Sequence, residues 1–244
     1  MSTQTVYFIS GANRGIGFGL VTSLSKRSDV LIFATARDPS KADALNALAR
    51  EKGNIVVVKL ESASEEDAKA AYKVVEEKAG KIDVLIANAG ISDTYGPAVS
   101  QPIQEYQRYF SVNTLGPIVL FQALHQLLYK STFPKFIVIS STAGSLTVAV
   151  PLPAVSYSMS KVAVNYFVVK LHQEEEAHNL VAFPVCPGHV QTDMGNLGAQ
   201  HFGIEKAPVT VEDSVAGILK LADEATRETH GGKFLSYTGD AVPW

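Results

Sequence analysis

Cysteine and tryptophan occur once each in the 244 residues. A lone Cys186 cannot close an internal disulfide, which fits a reducing compartment. No apolar run reaches the roughly 18 residues needed to cross a bilayer. Met1–Tyr7 has no basic stretch leading into an apolar run, which argues against a signal peptide and makes the cytoplasm the expected location. Charge of one sign is also scarce. Lys and Arg number 21 against 24 Asp and Glu, and the net charge of −3 gives no broad pull on nucleic acid or anionic lipid. Neither is expected as a partner, and any cationic site must be local. The six histidines are scattered without paired spacing, so no metal site is expected. There is no repeat, low-complexity tract or break in composition, so residues 1–244 read as a single domain.

The chain does hold short aliphatic or β-branched runs alternating with longer amphipathic stretches. Strands are predicted over Val6–Ser10, Val30–Thr35, Ile55–Leu60, Val84–Asn88, Lys135–Ser140, Val181–Cys186 and Lys233–Tyr237. Most are continuous apolar runs, the pattern of strands covered on both faces. Helices are predicted over Gly17–Arg27, Lys41–Lys52, Glu65–Ala79, Ile103–Leu128, Ser156–His178 and Val211–Ala225. The alternation implies an α/β fold, a doubly wound parallel sheet with helices on both faces.

Between the first strand and the first helix lies Ser10-Gly11-Ala12-Asn13-Arg14-Gly15-Ile16-Gly17. Glycines in such a loop permit a tight turn and let N–H groups and a helix N-terminus approach a pyrophosphate. The second strand then separates the two nicotinamide cofactors. An NAD site places an acid near its end for the ribose hydroxyls, whereas here the strand runs Ala34-Thr35-Ala36-Arg37 and the first carboxylate is Asp38. Arg14 and Arg37, with no acid between them at that position, suit the 2′-phosphate of NADP(H).

Tyr157 and Lys161 stand four residues apart in a helical stretch, so both side chains share a face. A nearby ammonium favours the phenolate, which lets the pair exchange a proton nearer neutrality. With these residues in view the whole chain resembles the short-chain dehydrogenase/reductase family. The resemblance is carried, in order, by the glycine loop, Asn88-Ala89-Gly90, Asn113, Ser140-Ser141, Tyr157-Ser158-Met159-Ser160-Lys161 and Pro187-Gly188. Within that family, Ala34 to Pro39, Pro187 to Gly195 and the carboxyl-terminal segment from Phe234 to Trp244 resemble fungal norsolorinic acid ketoreductases and sniffer-type carbonyl reductases.

The resemblance implies a Rossmann-type NADP(H)-dependent carbonyl or keto reductase. It makes Tyr157 the proton donor to the substrate oxygen, with Lys161 lowering its pKa and bonding the nicotinamide ribose. Ser141 would hold the same oxygen, and Asn113 would anchor a water that relays protons to Lys161. Gly11, Asn13, Arg14, Gly15, Ile16, Gly17, Arg37, Asn88, Ala89 and Gly90 would lie along the cofactor. Pro187, Val190 and Thr192 would meet its carboxamide and phosphates. Where the family has Asp to contact adenine, this chain has Glu61, which leaves that contact open.

The catalytic serine has a rival. Family spacing favours Ser145, twelve residues before Tyr157, while the end of the fifth strand favours Ser141. Thr147 to Val155 and Asp93 to Val99 offer apolar walls, which point to an apolar or aromatic carbonyl or alcohol as the small-molecule partner. Thr192 to Pro208 lacks a strong period and resembles the segment that closes over substrate. Cys186 is expected to be a small buried hydrophobe. Two other readings share the scaffold: a catalytically silent NADP(H)-sensing protein, and an epimerase or dehydratase. The first should lack Tyr157 or Lys161; the second usually carries an added substrate domain for which 244 residues leave little room. Assembly as a homo-oligomer is left open.

Overall fold

A computed structural model describes residues 4–244. The first three residues of the stretch read for a targeting signal lie outside the described residues. Seven parallel strands form one sheet in the order β3-β2-β1-β4-β5-β6-β7. They are β1 (Thr5–Ile9), β2 (Val30–Ala36), β3 (Ile55–Lys59), β4 (Val84–Ala87), β5 (Lys135–Ile139), β6 (Val181–Cys186) and β7 (Leu235–Ser236). The sequence builds outward from β1 in one direction through β3, then returns to β4 on the other side. That reversal opens a crevice at the carboxyl ends of β1 and β4.

Strand alternation sorts the core into two layers. Tyr7 and Ile9 of β1 join Ile86, Ile137 and Phe183 on one face. That face is covered by α1 (Gly15–Leu24), α2 (Asp43–Lys52) and α8 (Val211–Glu224), through Leu20, Val21, Leu24, Leu45, Val215 and Ile218. Val6 and Phe8 join Phe33, Leu85 and Phe136 on the other. Here α3 (Glu65–Lys78), α5 (Gly116–Leu128) and α6 (Val155–Glu174) supply Val75, Leu124, Leu127, Val164 and Val168. No helix among the described residues is long and apolar enough to cross a membrane.

Proline inside β6 looks out of place and is not. Ala182 O accepts from Gly232 N at 2.8 Å, on the side away from β5. Two residues on, the ring nitrogen of Pro184 faces that same side, and β7 pairs only with Val185 and Cys186. The missing N–H therefore falls on an open edge.

Apart from shifts in element ends, two elements differ from the sequence expectation. The helix predicted over Ile103–Leu128 is three pieces: α4 (Ile103–Phe110), a π turn over Ser111–Leu115, and α5. Pro117 has no N–H to give the carbonyl of Asn113 four residues earlier, so the ordinary ladder cannot run through. Gly116 N instead reaches Ser111 O in the wider turn. Second, α7 (Asp193–His201) forms where no helical period was legible. Thr192 caps it through a 3.1 Å bond from Gly195 N. A Cβ on Gly195 would lie 1.9 Å from Val190 O, so the glycine is the condition of the packing, not a sign of a loop.

Candidate active site

The glycine loop is clamped to the end of β4. Ser10 Oγ accepts from the N–H groups of Asn88 and Ala89, both at 3.0 Å. Asn88 Nδ2 donates to the carbonyls of Ser10 and Gly11, both at 2.9 Å. Gly11 takes φ +64, and a Cβ there would meet Ala89 Cα at 2.9 Å. A Cβ on Gly17 would meet Gly11 O at 2.2 Å. The sequence thus yields a cradle that side chains would fill. At its floor the N-terminus of α1 carries neither a side-chain cap nor an acid in its first turn. Those free N–H groups suit a pyrophosphate.

Asn13 and Ile16 fall in this loop and in the first turn of α1. Arg14 is the N-cap residue of α1, and its Nη1 lies 3.2 Å from Asp193 Oδ2. Arg37 follows β2, with Nε 3.7 Å from Glu61 Oε2. Thr192 reaches in from the far side: a Cβ on Gly15 would lie 3.3 Å from its methyl. Val190 is buried, bridged to Val209, and Pro187 O accepts from Ser214 Oγ at 2.8 Å. The loop after β6 therefore returns to the glycine loop. The glycine cradle and the uncapped N-terminus of α1 fit the pyrophosphate of a nicotinamide dinucleotide.

Beside the cradle, α6 presents Tyr157 and Lys161 together. Lys161 is 5 % exposed, and its Nζ donates to Ile139 O at 2.8 Å and sits 5.8 Å from the Tyr157 ring centroid. Burial pulls its ammonium down to about 8, opposed by nearby Cys186. Burial pushes the Tyr157 phenol above its usual range, and the neighbouring Ser141 hydroxyl pulls it part of the way back. In the free protein Tyr157 is thus a protonated hydroxyl. Cys186 is itself buried at the end of β6, the small hydrophobe expected.

Asn113 is fully buried in the π turn. Its Oδ1 accepts from Ile91 N at 2.9 Å, and its Nδ2 donates to Ile91 O and Ser160 Oγ, each at 3.0 Å. The side chain therefore ties the segment after β4 to α6. Gly90 lies between: a Cβ there would be 3.2 Å from Asn113 Oδ1 and 3.7 Å from Lys161 Nζ.

The two candidate serines part company. Ser141 stands two residues past the end of β5 and caps the 3₁₀ turn Thr142–Gly144, accepting from Ala143 N at 3.1 Å. Ser145 is buried and donates to Pro243 O at 2.6 Å while accepting from Val148 N at 3.0 Å. Ser141 alone stands with Tyr157.

Asn165, Tyr109 and Tyr95 are positioning residues that escaped the sequence reading. Asn165 accepts from Ser140 Oγ at 2.6 Å and donates to Gly144 O at 3.2 Å, so it brackets Ser141 on both sides. Its signal was a polar residue four beyond Lys161 on the buried face of α6. Tyr109 packs edge-on against Tyr157 with centroids 6.3 Å apart, and its hydroxyl accepts from Asp93 N and Thr94 N, both at 2.8 Å. Tyr95 stacks on His201 at 4.5 Å and meets Phe202 edge-on at 5.5 Å, closing the end of α7 onto the loop after β4. His189 holds the other end through Gly195 O, at 2.7 Å.

Fold and site together define an oxidoreductase built to bind a nicotinamide dinucleotide. The chain belongs to the short-chain dehydrogenase family, whose description "short chain dehydrogenase" it matches over residues 5–201. It is 41 % identical over 250 residues to the norsolorinic acid ketoreductase of Aspergillus parasiticus, covering 99 % of this chain and 92 % of that protein. The NADPH-bound carbonyl reductase from chicken fatty liver superposes with a TM-score of 0.90 at 32 % identity, covering all of both chains. The carbonyl reductase Sniffer of D. melanogaster does so with a TM-score of 0.90 at 26 % identity, over 99 % of this chain and 100 % of that one. The likeness to both subgroups expected from the sequence holds.

Proposed function

We propose that this protein is an NADP(H)-dependent carbonyl reductase that converts an apolar or aromatic ketone or aldehyde, reversibly, to its alcohol. The observation that carries the reading is the convergence of Ser141, Tyr157 and Lys161 at the carboxyl edge of the sheet, beside the glycine cradle. When bound, the cofactor supplies the two electrons and the hydrogen that the carbonyl carbon takes up. Gly11, Gly15 and Gly17, with the first turn of α1, hold its pyrophosphate. Arg14 and Arg37 hold its 2′-phosphate, and the loop from Pro187 to Thr192 flanks its nicotinamide end.

The protein's own part is the substrate oxygen. Tyr157 donates its proton there as negative charge develops, and Ser141 donates a second hydrogen bond, so both stabilise the transition state more than the carbonyl. Lys161, cationic below about pH 8, makes it easier for Tyr157 to give up the proton. A water anchored by Asn113 completes the path by which Tyr157 regains it. Leu146, Val148 and Leu152 after β5, with Met194 and Leu197 on α7, are exposed apolar side chains on the two segments that would meet an apolar substrate body. The NADPH-bound neighbour and the ketoreductase relative support the same reading.

The test pairs kinetics with binding. NADPH should exceed NADH in specificity constant by at least about tenfold, since one or two charge-assisted bonds are worth on the order of 1.5–3 kcal/mol each. Tyr157→Phe should cut carbonyl reduction by at least about a hundredfold while NADPH affinity by calorimetry stays close to wild type. Equal use of the two cofactors defeats the cofactor assignment. A wild type that binds NADPH yet reduces no carbonyl across a broad panel points to a silent sensor.

A further inference from the structure

Both guanidinium groups assigned to the 2′-phosphate already face a carboxylate. Arg14 pairs with Asp193 and Arg37 with Glu61, and the Arg37 and Glu61 side chains are 80 % and 45 % exposed. A pair that open to water contributes little to folding. Its consequence lies in what else must occupy the same space.

Glu61 is held where it stands. It follows β3 and lines the cleft beside Ser62, Ala63 and Ala89. Its N–H donates to Asp67 Oδ2 at 2.9 Å, and Asp67 is itself held by Lys59 Nζ at 3.0 Å. Two residues on, Ala63 takes φ +62, a left-handed conformation that only a well-determined turn imposes on alanine. A fixed backbone thus aims a carboxylate at Arg37 from the cleft wall.

We propose that Glu61 is a specificity-determining counter-ion: it balances Arg37 in the free protein and competes with the 2′-phosphate for it. The inference rests on the reading of Arg14 and Arg37 as the 2′-phosphate site. A phosphate monoester carries close to two negative charges at neutral pH. On Arg37 it comes to stand near the Glu61 carboxylate, and like charges a few ångströms apart repel. The 2′-hydroxyl of NAD(H) carries no charge and can donate a hydrogen bond to the carboxylate. Glu61 therefore weakens one cofactor without weakening the other, and narrows the preference that the arginines create.

Glu61→Gln keeps the shape and removes the charge. Calorimetry at low salt should show adenosine 2′,5′-bisphosphate and NADP⁺ binding about three- to tenfold tighter, with NAD⁺ unchanged or weaker. The gain should fade as salt rises, because exposed charges are screened. In an Arg37→Gln background, Glu61→Gln should bring no gain. If Glu61 instead held the adenine amino group, the substitution would weaken all three ligands alike. That result, or no change in any of them, overturns the proposal. Failure of the underlying reading looks different: wild type would bind NAD⁺ as tightly as NADP⁺, whatever Glu61→Gln does.

Discussion

A hydroxyl that has already given its proton to a carbonyl cannot also give it to a substrate. Ser145 is in that position, bonded to Pro243 O at 2.6 Å. Ser141 only accepts from a backbone N–H, leaving its proton to share with Tyr157 and the reacting oxygen. Ser141→Ala should therefore cost about 1.5–3 kcal/mol of transition-state stabilisation, roughly 10- to 150-fold in kcat/KM. Ser145→Ala should cost less than about threefold, since what it loses is a tie to the carboxyl-terminal segment. Kinetics on the two variants side by side decide between them, and the reverse ranking transfers the role to Ser145. Spacing from Tyr157 favours Ser145 because the loop between Gly144 and α6 is long. Gly96 N bonds Pro153 O at 2.7 Å, so that loop is pinned to the segment after β4 instead of being shortened.

At the level of elements, what could be read from the sequence was whatever repeats. Six of the seven strands announced themselves as apolar runs, and the glycine loop and the Tyr157–Lys161 pair by spacing. What could not be read depended on a partner distant in sequence. The π turn under Asn113 had a local sign in Pro117, but its consequence needs the amide of Ile91 and the hydroxyl of Ser160 to be seen. The seventh strand is only Leu235–Ser236, because β6 offers it just two pairing positions. α7 is the sharpest case: Gly195 and Gly198 weaken the helical signal, yet each stands where a neighbour comes too close for a side chain. Gly198 makes room for the Tyr95 hydroxyl, which a Cβ there would meet at 3.0 Å. A helix with so little propensity depends on its clasp. Tyr95→Ala removes two aromatic contacts worth about 0.5–1.5 kcal/mol each. Amide exchange across residues 193–202 should then rise by about tenfold while exchange in α6 is unchanged. Unaltered exchange in α7 would mean that its cap and His189 hold it alone.

For the molecule as a whole, the site and the stability share one buried charge. Lys161 lies on α6, which packs through Val164 and Val168 onto the same sheet face that holds Phe8, Leu85 and Phe136. Local release of the lysine to water would require that layer to open, so its titration should be felt by global unfolding. Its folded value, about 8, is below the 10.5 of a free lysine. Between those two values the unfolded chain binds more protons than the folded one, so stability rises with pH across that window. Below it the burden of burying the ammonium is present in full, and above it the burden is gone. The apo protein should therefore gain about 2 kcal/mol from this group between about pH 7.5 and about pH 9.5. Other groups titrate nearby, so the measurement is a difference. Urea unfolding of wild type and Lys161→Met at the two pH values isolates the lysine, whatever constant penalty the variant suffers from leaving Ile139 O without its donor. Wild type should gain on Lys161→Met by that amount as the pH rises. Parallel pH profiles for the two proteins would mean that the ammonium is solvated in the free enzyme, and that the low-dielectric setting of Tyr157 forms only when cofactor binds.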